Sequence, residues 1–479
     1  MELIAPVQFR WLMSRDPLTV IADHTIWARM LSAALVLGAL TLESAAAQFT
    51  LERVVLISRH GVRAPTDSDK LNDYTKSRTW PRWPVQDACL TPHGRLLASR
   101  MGSFYRRELT ARGLFPANRR PTAKEVYVFA DISQRTVETG AGLIEGFFAC
   151  KGAACPPVSC LTCGPAGLSQ VCNPSAKDPL FHPVSSEGSC TIDPTRAREE
   201  LRGPLGKAQK QPGYHDTVRK LQDVLDCCRP PLCPTKDDCT LNDLHNKIVD
   251  DSKDGGVSLN GPIAIGSTAS EIFLLEYAQG MPSDQVAWGH GSTAEHVIKL
   301  MLLHGVQFDL LQRTEYLAKR QGSALVDQVL ETLRQTARGT SDPVRPVPRE
   351  AKLVIYVGHD TNLANIGGML KFNWQLGRYE QNETPPAGAM MFELLRDAAG
   401  KHFVRVSYVS QNLDQMRQST ILRLPRRSGE DRKSTPDLAR IAIDQYCPAT
   451  VTDGACPFDD FYKNAKARLH LACVRPKPN

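Results

Sequence analysis

Residues 58–66 read Ser-Arg-His-Gly-Val-Arg-Ala-Pro-Thr, so two arginines, Arg59 and Arg63, bracket one histidine, His60. Arginine carries a planar fork of N–H donors that keeps its charge and fits phosphate oxygens. A neutral imidazole held between two such forks can attack phosphorus while the forks gather the charge of the five-coordinate transition state. A further cation, Arg135, lies in 131–136 (Asp-Ile-Ser-Gln-Arg-Thr), and His359 and Asp360 lie in 358–362 (Gly-His-Asp-Thr-Asn). A carboxyl group beside phosphate-binding cations can protonate a departing oxygen and later take a proton from water. A lone His-Asp pair is more often a surface feature. Three groups converging on one phosphate would be a catalytic site.

Convergence requires a scaffold. Each of the three groups follows a short β-branched or apolar run: 53–58 (RVVLIS), 125–130 (EVYVFA) and 352–357 (KLVIYV). Such runs read as buried strands of a parallel sheet, and ligands of α/β sheets collect outside the carboxyl ends of their strands. Amphipathic helices are predicted over 91–114 and 134–149. Strands at 389–395 and 402–409 are close enough together to form an antiparallel edge. Between about 151 and 350 the strand signal nearly vanishes. A Cys/Pro/Gly-rich stretch there leads to helical patterns at 218–225, 267–278, 293–316 and 325–336, and the Pro-rich 342–349 returns the chain to the sheet. The expected architecture is an α/β domain from 48–150 and 346–479, mainly a parallel sheet flanked by helices, with an α-helical lobe inserted at 151–345.

Composition sets the class and the compartment. The chain has 479 residues, 42% hydrophobic and 23% charged, enough for a sizeable core. The formal charge of +7 suits an anionic substrate and is too small for a nucleic-acid binder. Residues 30–42 (MLSAALVLGALTL) follow Arg29 and precede Ala45-Ala46-Ala47, which predicts an export signal over 1–47 with cleavage before Gln48. The run is shorter than the roughly 20 residues of a membrane span, so no membrane attachment is expected after cleavage. The 14 cysteines, none of them in the predicted signal, then read as disulfides of an exported, periplasmic or secreted protein. Cys160-Leu-Thr-Cys163 has half a zinc-site spacing but no matching pair follows. Adjacent Cys227 and Cys228 are expected to pair outward. His93, His182, His215, His245, His290, His304 and His402 show no ligand spacing and read as surface or packing residues.

The motifs at 58–66, 131–136 and 358–362 resemble those of the histidine acid phosphatases, the branch that includes bacterial periplasmic phytases and glucose-1-phosphatases. Segments 80–84 (WPRWP), 178–181 (DPLF), 271–275 (EIFLL) and 310–314 (LLQRT) also look phytase-like, and the similarity spans roughly 52–475. The resemblance implies that His60 is the nucleophile of a phosphohistidine mechanism and that Arg59, Arg63, Arg135 and His359 hold phosphate. It makes Asp360 the proton donor. Thr66, Asp67, Asp131, Glu271 and Arg313 become candidate substrate-binding residues. No metal or other cofactor is expected, since fixed cations can do the work of metal ions. The resemblance also suggests the disulfides Cys190–Cys473, Cys233–Cys239 and Cys447–Cys456, and leaves Cys89 and the cysteines at 150–172 unassigned.

The expected function is therefore an acid phosphomonoesterase able to hydrolyse phytate and other phosphate monoesters, with a monomer favoured. Asp67 stands where phytase-type relatives often carry lysine, and a carboxylate there would repel a polyanion. A glucose-1-phosphatase-like enzyme is the alternative within the class. A phosphoglycerate-mutase-like transferase would share Arg-His-Gly but would need neither the export signal nor the large insert. A non-catalytic anion-binding protein would not require Asp360, a poor phosphate ligand unless protonated.

Overall fold

Along residues 54–57, Val54 and Leu56 turn to one face of a strand and Val55 and Ile57 to the other, and all four are wholly buried. A strand apolar on both faces belongs in the middle of a sheet with helices on either side. The computed structural model places it there. It describes residues 49–479 except 164–170, 185–187, 234–238, 252–255, 341–345, 426–432, 448–453 and 476–479. The predicted export signal lies outside the described residues.

The strands are β1 (Thr50–Arg59), β2 (Val126–Ala130), β3 (Lys247–Asp251), β4 (Gly256–Asn260), β5 (Leu353–Gly358), β6 (Ala389–Arg396), β7 (His402–Ser410), β8 (Asp437–Ile441) and β9 (Cys456–Pro457). The large sheet runs β2-β5-β1-β6-β7-β8, with β9 also on β7. The first three strands of this order are parallel, with Val54 opposite Leu353 and Val126 opposite the same residue. From β1 onward the pairing is antiparallel, Ser58 facing Ala389. The antiparallel part exceeds the hairpin expected, because β8 and the two-residue β9 add to β7. Segments so short carry little periodic signal.

The helices used below are α1 (Pro92–Ala111), α2 (Gln134–Phe148), α3 (Pro194–Ala208), α4 (Tyr214–Leu225), α5 (Pro262–Gln279), α6 (Leu302–Leu311), α7 (Glu315–Arg338), α8 (Asp360–Leu370) and α9 (Phe458–Lys466). Helices α1 and α2 cover the face formed by Val54, Leu56 and Ile355, through Met101, Val137 and Leu143. Val55, Ile57 and Tyr356 pack into the other core with Leu330 of α7, Leu363 of α8 and Phe461 of α9. Described residues of 151–345 give the large sheet only one bridge, Ser159 to Phe129, and form their own hairpin, β3–β4. Helix α7, at the end of that span, is joined to the sheet: Arg53 of β1 donates to its Thr332 carbonyl and Gln335 Oε1, both at 2.9 Å. The pattern read as one helix over 293–316 is broken at Lys299 and Gln312, so α6 and α7 are separate. No helix among the described residues is long and apolar enough to cross a membrane.

All 14 cysteines are bonded. Cys190–Cys473, Cys233–Cys239 and Cys447–Cys456 are paired, and Cys160 bonds Cys163. Cys89 joins Cys172, and Cys150 joins Cys155. The outward pairing expected of Cys227 and Cys228 does not occur: they bond each other. The thiols nearest in sequence, Cys233 and Cys239, are bonded together and leave them no outward partner.

Candidate active site

The three motifs meet at the carboxyl ends of β1, β2 and β5. Register alone brings the first and third together: Arg59 lies opposite Gly358, and the His60 N–H donates to the Gly358 carbonyl at 2.9 Å. The Asp131 N–H donates to Val357 at 2.9 Å, which aligns the second motif with them. The loop after β1 is pressed against the start of α1, where a Cβ on Gly94 would lie 2.2 Å from the Val62 carbonyl. Only glycine allows that approach, and it seats the His60 loop on the helix.

The His60 ring is buried, with Nδ1 2.9 Å from the Gly61 carbonyl. A carbonyl only accepts, so Nδ1 carries the proton and Nε2 presents its lone pair. Burial, then the positive charges of Arg135, Arg59 and Arg63, push the imidazole well below its ordinary 6.5. The ring therefore stays neutral, as a nucleophile must, in acid as well as at neutral pH.

The arginines stand around it in different ways. Arg59 is fully buried, and its guanidinium meets Glu271 of α5, Asp360 Oδ2 at 2.9 Å and the Thr384 carbonyl at 2.6 Å. Burial alone would weaken its hold on the proton, but those carboxylates reverse the effect. Arg63 donates to the Ala64 carbonyl and lies 4.0 Å from Glu271. Arg135, on the first turn of α2, donates to the Cys172 carbonyl at 3.1 Å and to His359 Nδ1 at 3.4 Å. Burial and the nearby Arg63 bring Arg135 down to about 10, still charged at working pH. The Nε atoms of all three arginines are buried without a hydrogen bond inside the protein. Polar groups this deep are normally matched, so three unmatched donors on the arginines around one histidine are suited to an anion.

His359 and Asp360 sit at the start of α8. His359 Nε2 donates to Asp131 Oδ2 at 2.7 Å, so Nδ1 is free to accept from Arg135. Its pKa falls to about 4, from burial first and Arg135 second. Burial pushes the Asp360 carboxyl up, but Arg59 and Arg63 outweigh it and hold it at about 2.

The candidate substrate residues divide. Glu271 and Asp131 are inside the cluster, where they hold Arg59 and His359. Thr66 and Asp67 are exposed beyond Pro65, and Asp67 caps the short helix Ser68–Leu71 by accepting from the Lys70 N–H at 2.9 Å. Arg313 is not brought to the cluster. Its guanidinium donates to the Phe372 carbonyl at 2.9 Å and to Asn373 at 2.8 Å, and pairs with Asp309. It also lies over the Trp374 ring.

Three residues escaped the sequence reading. His304 of α6, read as surface or packing, is buried with Nε2 3.9 Å from Glu383 and 4.0 Å from Glu271, while Nδ1 meets Ser267 at 3.2 Å. Burial pushes the Glu383 carboxyl up. His182, also read as surface or packing, lies 3.4 Å from Asp131. Ser267, which meets His304, shares α5 with Thr268, Ser270 and Glu276, so its polarity alone did not single it out. Loop residues such as Glu383 and His182 had no signal. A cavity of about 920 Å³ lies against α5 and α6, lined among others by Lys70, Lys247, Asp243, Asp250, Asp251 and Thr268, and contains none of the catalytic candidates.

The sequence profile of the histidine phosphatase superfamily (branch 2) matches residues 50–409, from β1 through all three motifs. The chain belongs to this family. This phosphatase is 34% identical over 402 residues to the phytase AppA of Escherichia coli (strain K12), covering 82% of this chain and 88% of that one. It is 29% identical over 444 residues to a glucose-1-phosphatase of Salmonella typhimurium, covering 90% and 97%. The apo phytase of Hafnia alvei superposes with a TM-score of 0.77 at 35% identity, over 90% of this chain and 99% of the other. The phosphatase is thus a phosphoric monoester hydrolase with the mixed α/β fold of the bacterial phytases.

Proposed function

We propose that the chain is an exported acid phosphomonoesterase that works through a phosphohistidine at His60 and hydrolyses phytate among other organic phosphate monoesters. One observation carries this: the Nε2 lone pair of a neutral His60 is presented among the side chains of Arg59, Arg63 and Arg135. In the first step Nε2 forms a bond to phosphorus as the P–O bond to the alcohol breaks. Asp360, ionised in the free protein, passes to the leaving oxygen a proton that it takes from the phosphate monoanion once that anion occupies Arg59 and Arg63. In the second, water attacks phosphorus, Asp360 takes its proton, and the P–N electrons return to His60. The arginines hold the equatorial oxygens throughout. Phytate is favoured by the phytases among the relatives. Seven disulfides among the described residues support export to an oxidising compartment.

The test is a rapid quench into alkali, which preserves a P–N bond, using labelled substrate. Wild type should carry label on His60, and His60→Ala should carry none and turn nothing over. Turnover by His60→Ala would overturn the mechanism. Release of phosphate from glucose 1-phosphate but not from phytate would overturn the substrate assignment alone.

A further inference from the structure

Asp131 holds two histidines on one carboxylate. Its Oδ2 lies 2.7 Å from His359 Nε2 and 3.4 Å from His182 Nε2, and the two rings are 5.2 Å apart. The ligating atoms of all three residues fall within 4.8 Å of one another. Asp131 is 3% exposed, yet its Oδ1 has no hydrogen-bond partner. For hydrogen bonding this is an under-used carboxylate. For coordination it is a second oxygen beside two imidazoles.

We propose that Asp131, His182 and His359 form a binding site for one borderline divalent cation of the zinc class, whose occupation lowers the activity of the phosphatase. Zinc bonds to imidazole nitrogen and carboxylate oxygen at about 2.0–2.2 Å, which separates tetrahedral ligand atoms by roughly 3.3 Å. The two separations from Asp131 bracket that value. The two histidine nitrogens, within 4.8 Å of each other, need to close by no more than about 1.5 Å, which a rotation of the partly exposed His182 ring supplies. Two nitrogens and one oxygen suit zinc, copper or nickel, whereas magnesium and calcium require mostly oxygen. An entry path exists: the His182 side chain is 34% exposed and lines a surface pocket of about 260 Å³ with Lys177, Thr361 and Asn362.

The effect on the active site follows from the His359 ring. In the free protein its Nε2–H donates to Asp131 and its Nδ1 accepts from Arg135. An ion on Nε2 displaces that proton and leaves Nδ1 as the protonated nitrogen. Nδ1–H then faces the Arg135 N–H, donor against donor, and the ion adds positive charge behind them. The phosphate clamp opens on that side. The cation is thus an inhibitor bound one ring behind the phosphate, and no catalytic step passes through it.

The test uses the untagged, disulfide-bonded protein at neutral pH. Cobalt chloride should give one equivalent of visible absorption typical of low coordination, displaced by zinc chloride and absent in His182→Asn and His182→Ala. With p-nitrophenyl phosphate, a weak chelator, zinc chloride should inhibit wild type, and its midpoint should rise at least about tenfold in both variants. That figure is the lower end of what loss even of an outer partner costs a metal site. Each variant is compared with itself without metal, so changes in basal rate cancel, and magnesium chloride should do nothing. Equal cobalt spectra or equal zinc midpoints across the three proteins would overturn the site. The inhibitory consequence rests on the proposed function, whereas cobalt binding does not. Absorption without inhibition would therefore overturn only the coupling.

Discussion

Glu276 of α5 is wholly buried, and its one described partner is the Ala287 N–H, which Oε2 accepts at 2.9 Å; Oε1 has none. Burial lifts this carboxyl from its ordinary 4.5 to about 8. The folded protein therefore holds the Glu276 proton more tightly than the unfolded chain does. Its contribution to stability is fully present below 4.5 and is lost as pH rises toward 8. At about 1.4 kcal/mol for each tenfold change, the loss between pH 5 and pH 7 comes to roughly 2–3 kcal/mol. Glu276→Gln replaces the acid with a group of the same shape that cannot ionise and can still accept from Ala287. Chemical denaturation of both proteins at pH 5 and pH 7 should show the variant gaining about that much on wild type at the higher pH. A difference independent of pH would mean that Glu276 titrates normally and that water reaches it.

Asp360→Asn should slow esters with poor leaving groups, such as sugar phosphates, far more than p-nitrophenyl phosphate, because a stable phenolate needs little protonation; equal losses would refute the proton-donor role. Asp67→Asn keeps a side chain able to cap the helix at Ser68 but removes the charge, so the Michaelis constant for phytate should change less than about twofold; a marked fall would mean that Asp67 faces the substrate. The Cys89–Cys172 disulfide joins two residues whose carbonyls receive the Ala64 N–H and Arg135 Nη1. Replacing both cysteines by serine should therefore raise the Michaelis constant more than the same change at Cys447 and Cys456, and steady-state kinetics on both double variants decide it.

The catalytic strands were legible because burial on both faces writes a continuous apolar run, and the motifs follow such runs directly. Pairing through β1 then fixed the convergence of His60 with His359 and Asp360. The supporting residues left no such trace. His304 and Glu383 come from a helix and a loop that only the tertiary fold brings beside Glu271. Arg313 misled for the opposite reason: a phytase-like segment predicted a substrate contact, while its guanidinium is taken up by Phe372, Asn373 and Asp309. Asp67 was read as a charge, but its local role is that of a helix cap.

The position of β1 bears on when the enzyme can first act. The strand that delivers His60 is the first in the sheet by sequence, yet its neighbours are β5 and β6, whose partners for Val54 are Leu353 and Glu393. Chains are made from the amino end, so this apolar strand emerges long before either neighbour exists. Pairings so distant in sequence form slowly, because a long loop must close before any contact rewards it. His359, Asp360 and Thr384 arrive with those same late segments. A partly synthesised chain therefore carries the Arg-His-Gly sequence without the pocket, and phosphatase activity appears only once the chain through β6 has been made.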